Sequence, residues 1–333
     1  MGTYRFLLAY LVMLSHVYGE VSGVNPGVSA VISFYILSGY VMALLFRKYY
    51  QMPWNPLGFW LDRAARLYPQ YLFYLAITVI LMVAFKMQTN WTADRRIDGL
   101  LLATLIVPLD YYALIPQIRI QFIAPAWTLG LEATFYAAVP FLLALRSRTL
   151  LIVAAASVAV YAASVLGLID SDLWGYRLLP GTLFMFLGGA MLTTRFAPCA
   201  ALVLTAIGGA ALAVCSLNPA TAASPNAQDV AIGLTFGAPM MLLVTRIRPE
   251  RTDPVDTVLG NLSYGLFLSH FVMINIALWL HWSEALFVPV ASIMAAGVSF
   301  YYVERPALRV RRSLRERHLA HLLANTASTN ATS

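Results

Sequence analysis

The sequence predicts an all-α, polytopic membrane bundle: about ten transmembrane helices plus one re-entrant or interfacial helix, with both termini cytoplasmic. Three observations carry that prediction. Of 333 residues, 60% are hydrophobic and only 11% charged, against roughly 25% charged in ordinary soluble domains, and the mean hydropathy is +0.72. Apolar stretches near the roughly 20 residues a helix needs to cross a bilayer recur from the N-terminus to about residue 303, and they lack the short alternating pattern of a closed barrel. Arginines and lysines gather in particular connecting loops, as positive-inside bias requires.

The apolar segments fall near 5–22, 28–46, 68–86, 98–115, 126–145, 150–168, 178–194, 199–217, 229–245, 257–280 and 285–303. Basic residues follow the second segment (Arg47, Lys48, Arg63, Arg66), the fifth (Arg146, Arg148), the seventh (Arg195) and the ninth (Arg246, Arg248, Arg251). The tail ERPALRVRRSLRERH follows the eleventh. If all eleven spanned, the loop with Arg63 would lie across the membrane from every later basic loop. One segment between 87 and 125 therefore does not span. The best candidate is 98–115, which Asp94, Arg95, Arg96 and Asp98 bracket, which holds Asp110, and which Pro108 and Pro116 break. It reads as a re-entrant or interfacial helix on the outer side, with 116–122 outside as well. Residues 1–305 form the membrane domain, and 306–333 a basic cytoplasmic tail that is partly disordered. The first segment is short enough to suggest a secretory signal, but an ionisable His16 inside it argues for a retained span.

Several function classes drop out. The excess of 22 Lys+Arg over 15 Asp+Glu fits basic loops facing anionic membrane lipid rather than nucleic acid. Cys199 and Cys215 are too few for a disulfide framework or a metal site. No metal-ligand spacing and no phosphate-binding glycine loop is present.

The ionisable groups inside apolar segments carry the functional reading, because lipid disfavours them unless they face a cavity or a partner. Arg5 and His16 are eleven positions apart, close to three helical turns, so they share a face about 16 Å apart along the axis. Arg63 and Arg66, one turn apart at the start of the third span, are either membrane anchors or a phosphate clamp in fork geometry. Glu132 lies in a polar stripe with Thr128 and Tyr136. Ser263, Phe267 and His270 share a face of a later span, and Ser38 and Gly39 in the second span allow a helix or a ligand to approach closely.

Taken in order, these stretches resemble the acyltransferase-3 family of membrane-bound O-acyltransferases. The first span resembles its arginine–ten residues–histidine signature, here Arg5 and His16. RAAR (Arg63, Arg66) resembles its R-x-x-R motif, and FYILSGYVM its second-span pattern. WTLGLEATFY, NLSYGLFLSHF and VERP (Val303 to Pro306) are similar to its later elements. Thr128 departs from the usual serine, Ala133–Thr134 from a frequent Glu–Gln, and the chain begins close to Arg5. The hydrolase-like domain fused to some members is not seen, so the acceptor is expected within the membrane domain or with a separate partner.

The resemblance implies transfer of an acyl group, usually acetyl from acetyl-CoA, to a hydroxyl of a carbohydrate or lipid-linked glycan such as O-antigen or exopolysaccharide. The acyl-CoA is a co-substrate and no cofactor is bound. The expected setting is the cytoplasmic (inner) membrane of a bacterium. Arg5, Arg63 and Arg66 are expected to bind acyl-CoA, His16 and Glu132 to be catalytic, and Ser38, Gly39, Trp127, Tyr136, Tyr264 and His270 to line the substrate pocket. His16 would act as general base or as covalent acyl carrier, and the sequence leaves both open. The competing class is a proton-coupled transporter using His16, Glu132 and His270 as a relay; an integral scaffold or sensor leaves the buried ionisable groups unexplained.

Overall fold

The structure is a computed structural model and describes residues 1–51, 54–87, 97–115, 122–218, 221, 224–247 and 253–313. Its helices are α1 (Gly2–Tyr18), α2 (Pro26–Tyr49), α3 (Pro56–Ala84), α4 (Ile97–Thr104), α5 (Trp127–Ala144), α6 (Ser147–Val165), α7 (Leu179–Met191), α8 (Ala197–Leu217), α9 (Ala227–Arg246), α10 (Pro254–Leu280) and α11 (Glu284–Ser299). Beyond Ser299 the chain continues through a π-helical turn, Phe300–Glu304, and stays helical to Ser313.

Eight of these helices are long and apolar enough to cross a bilayer, counting 284–313 as one. Of the ten expected spans, α1 has 17 residues and α7 has 13. These two shorter helices pack against their neighbours, α1 along α10 and α2, and α7 along α2 and α6. The segment 98–115 does not span. It breaks into the eight-residue α4 and a 3-10 turn, Val107–Tyr111, and eight residues rise only about 12 Å. Most of the flank that brackets it, residues 88–96, and the loop 116–121 lie outside the described residues, as do Arg248, Arg251 and the tail beyond Ser313.

Local chemistry starts several helices. Asn25 caps α2, its Oδ1 accepting from the backbone N–H of Gly27 at 3.0 Å and of Val28 at 3.3 Å. Asn55 does the same for α3 through Gly58 at 2.8 Å, and Asp253 for α10 through Val255 at 2.9 Å. In each case proline follows the cap, where its missing N–H leaves no bond unmade. The crossing of α2 and α7 depends on glycine: a Cβ on Gly39 would lie 1.8 Å from the Phe186 carbonyl oxygen, and one on Gly189 would lie 1.9 Å from that of Ile36. Small residues let the two backbones touch there.

Two further ties place the site. The start of α1 is bound to α10, with the N–H groups of Gly2 and Thr3 donating to the Asp256 carboxylate at 3.0 and 2.8 Å. The end of α11 is bound to α3, where Gln70 Nε2 and Tyr74 OH donate to Ser299 Oγ at 2.9 and 2.8 Å.

Candidate functional site

Because Asp256 fixes the first turn of α1, Arg5 stands near that end of the helix and His16, itself exposed, lies three turns further along it. Three cavities run in series along that helix. A mouth of about 250 Å³ is lined by Arg5, Arg66, Asp256, Asn261 and Glu304. An arginine chamber of about 120 Å³ follows, lined by Arg5, Arg63, Arg66, Ser38, Glu132 and Tyr136, with Ser263 and Tyr264. A histidine chamber of about 430 Å³ lies beyond, lined by His16, Asn25, Tyr112, Trp127, Arg177 and Asn226. Arg5 and Arg66 belong to both the mouth and the arginine chamber. Val31, Thr128 and Phe267 line both chambers and form the partition between them.

The arginines differ in what they hold. Arg63 is 5% exposed and committed: its Nε donates to Asp62 Oδ2 at 3.0 Å, and the same carboxylate accepts from Arg311 Nε at 2.8 Å. Arg66 is paired with Glu304 and lies 4.8 Å from the centre of the Tyr264 ring. Arg5, on the same two cavities, has a guanidinium that hydrogen-bonds and ion-pairs with no group among the described residues. A half-buried cation without a direct partner is costly to keep.

Glu132 sits with the arginines and not with His16. Its Oε1 accepts from Ser38 Oγ at 2.8 Å and from the Tyr136 hydroxyl one turn along α5. The polar stripe read from the sequence thus faces a cavity, with Thr128 at the partition, its Oγ1 donating to the Pro125 carbonyl at 2.8 Å. Tyr264 OH donates to the Leu67 carbonyl at 2.8 Å. Gly39 belongs to the α2–α7 crossing and lines neither chamber.

His16 opens onto the histidine chamber, and its Nδ1 lies 2.8 Å from the Val12 carbonyl oxygen. A carbonyl only accepts, so Nδ1 carries the hydrogen and Nε2 keeps a free lone pair. His270 lies behind it, fully buried, its ring centre 5.1 Å from that of His16. Its Nδ1 donates to Leu266 O at 3.1 Å, and its Nε2 has no partner among the described residues. His270 therefore backs the His16 ring instead of lining the chamber.

Sequence reasoning missed the carboxylates Asp62 and Glu304 that hold the two arginines, although Asp62 directly precedes RAAR and Glu304 stands in VERP. It also missed Arg177, in the loop IDSDLWGYR, and the role of Asp110. Asp110 is 0% exposed, both its oxygens lack partners among the described residues, and burial pushes its carboxyl up to about 8 although Arg177 pulls the other way.

Comparison with known proteins places this helical membrane bundle in the class of membrane acyltransferases. Residues 4–304 match the acyltransferase domain of the acyltransferase-3 family, nearly the whole described chain, and the chain belongs to that family. It is also similar to an uncharacterized protein of Aquifex aeolicus (strain VF5), 30% identical over 189 residues, which are 54% of this chain and 84% of that protein. No solved structure matches it.

Proposed function

We propose that this protein is a bacterial inner-membrane O-acyltransferase that takes an acyl group, acetyl in the first instance, from cytosolic acyl-CoA. The acceptor is a hydroxyl of a carbohydrate or glycosylated product such as O-antigen or exopolysaccharide. The observation that carries this reading is the series of cavities along α1, with an unpaired Arg5 at the first two and the Nε2 side of His16 free at the third.

In this reading the CoA phosphates sit at the mouth, where Arg5 is free and Arg66 can exchange Glu304 for phosphate. The arginine chamber is narrow, which suits the slender pantetheine arm and not the nucleotide. Extending past Phe267, the arm brings its thioester to His16. There Nε2 takes the proton of an acceptor hydroxyl as its oxygen attacks the thioester carbonyl. The C–S bond breaks, and the CoA thiolate leaves with the proton returned by the imidazolium, giving ester and free CoA. The geometry equally admits His16 as covalent carrier, in which case an acyl-imidazole forms first and the hydroxyl displaces it.

The test uses the purified full chain in lipid nanodiscs with labelled acetyl-CoA and glycan-bearing membranes. Label passing from CoA to the glycan fraction, and lost in His16→Ala while that variant still inserts, supports the reading. Full transfer by His16→Ala removes His16 from the chemistry.

A further inference from the structure

The histidine chamber carries a polar device that the donor has no use for. Arg177 closes a π-helical turn, Ser171–Arg177, whose first residue is tied to the neighbouring loop by Ser171 Oγ donating to the Pro225 carbonyl at 2.8 Å. Arg177 Nε donates to Asp172 Oδ2 at 2.8 Å, and the other oxygen of Asp172 accepts from Asn226 Nδ2 at 2.6 Å. Three aromatic rings surround the guanidinium, with centres at 4.4 Å for Trp127, 5.2 Å for Tyr176 and 5.4 Å for Tyr112. The three rings come from the start of α5, from the turn itself and from the segment after Val107–Tyr111, so the group is held from several sides. Cation–π contact fixes the plane of a guanidinium without using its N–H donors.

Among the described residues, neither terminal nitrogen of Arg177, Nη1 nor Nη2, makes a hydrogen bond. Yet Arg177, Tyr112, Trp127, Tyr176 and Asn226 all line the chamber that His16 lines. Donors left unmade in a partly buried wall are costly unless something fills them. The charge is already settled: Asp172 neutralises Arg177, and the rest of that lining has no other charged side chain. This differs from Arg5, which makes no direct ion pair among the described residues. The occupant here has oxygen acceptors in a fork-matching pair and no net charge.

We propose that the Arg177–Asp172–Asn226 clamp is the acceptor subsite, recognising vicinal oxygens of an uncharged, polyhydroxylated ring and presenting one hydroxyl to His16. This rests on the acyl-transfer reading above and adds to it where the acceptor sits, which residues select it and what charge it has. The chamber falls within the range of pockets that enclose a small ligand, about 300–1,000 Å³.

The experiment measures transfer from labelled acetyl-CoA by the full chain in nanodiscs to three acceptors of matched size: methyl glucopyranoside, the methyl glycoside of glucuronic acid and that of glucosamine. The neutral glycoside is expected to be used at least about tenfold better than either charged one. In Arg177→Met its KM rises at least about tenfold, the loss of a charge-assisted hydrogen bond, while the KM for acetyl-CoA holds within about twofold. Arg177→Lys keeps the charge against Asp172 but loses the fork, and is expected to show the same split. Preference for a charged acceptor, or an unchanged acceptor KM in both variants, overturns the proposal. So does acetyl-CoA binding without transfer to any of the three, which leaves the donor reading standing. If wild-type protein does not bind acetyl-CoA, the acyl-transfer reading falls and this one with it.

Discussion

The two chambers along α1 solve opposite electrostatic problems. In the arginine chamber two of the three arginines are balanced by carboxylates, Arg63 by Asp62 and Arg66 by Glu304, and one, Arg5, is left over. The histidine chamber has a single arginine, balanced by Asp172, and beside it an imidazole whose lone pair is free. Glu132 also lines the arginine chamber but is bonded to Ser38 and Tyr136 rather than to an arginine. Arg5 is thus left without a direct ion pair at this end, which suits an anionic donor. A neutral, hydrogen-bonding wall at the other suits hydroxyls. Phe267, Val31 and Thr128 keep these environments apart.

The comparison breaks most visibly at His16. His16→Ala is expected to lower kcat for transfer by about 10²- to 10⁴-fold, the usual range for a removed general base, with donor binding retained. Loss of donor binding without loss of turnover would reverse the roles assigned to the two ends. A rate assay with a parallel acetyl-CoA binding isotherm checks this.

The next effect is on stability at the arginine end. Asp62→Ala leaves Arg63, 5% exposed, and Arg311 facing each other without their shared carboxylate. Breaking a buried pair from one side costs about 3–5 kcal/mol, so the melting midpoint in detergent is expected to drop by several degrees. An unshifted midpoint would mean that water already screens this cluster.

Donor affinity sharpens the contrast between free and committed arginines. Arg5→Met is expected to raise the KM for acyl-CoA about 10- to 100-fold, as losing a charge-assisted contact does. Arg66→Ala is expected to raise it less, because Glu304 competes for that guanidinium in the free protein. Steady-state titration of acetyl-CoA against the two variants decides, and a larger effect at Arg66 would show that the Glu304 pair opens at little cost.

Taken per pH unit, the smallest expected effect concerns Asp110. Its folded value of about 8 stands above the ordinary carboxylate value near 4. Between those limits the folded protein holds a proton that the unfolded chain has released. Stability is therefore full below about pH 4 and falls as pH rises through about 8, by at most about 1.4 kcal/mol per unit. Asp110→Asn should flatten the fall of the melting midpoint between about pH 5 and 9. Equal slopes in variant and wild type would place the pH dependence elsewhere.

Much of the molecule was legible in the chain. Long apolar segments fix a helical membrane bundle because backbone groups in lipid must be satisfied within the segment. The loop charges also singled out 98–115 as the segment that does not cross, and Pro108 and the 3-10 turn there give the local cause. Helical periodicity brought Glu132 and Tyr136 to one face, where the structure joins them by a hydrogen bond. Helices α1 and α7, expected to span, are shorter than their apolar stretches suggested and are not among the eight long enough to cross, because flanking residues turn out of the helix.

What the sequence by itself determined is thus the class of fold and the residues that share a helix face, which follow from composition and from spacings of a few residues, together with a family resemblance carried by its ordered motifs. Only the tertiary structure decided which charges cancel. Arg66 meets Glu304 across 238 positions and Arg63 shares Asp62 with Arg311 across 249, distances over which no helical period carries information. The same holds for the separation of Glu132 from His16 and for the aromatic enclosure of Arg177. Each depends on how helices from distant parts of the chain pack, and packing sets the local dielectric and the partners that leave one arginine paired and another free.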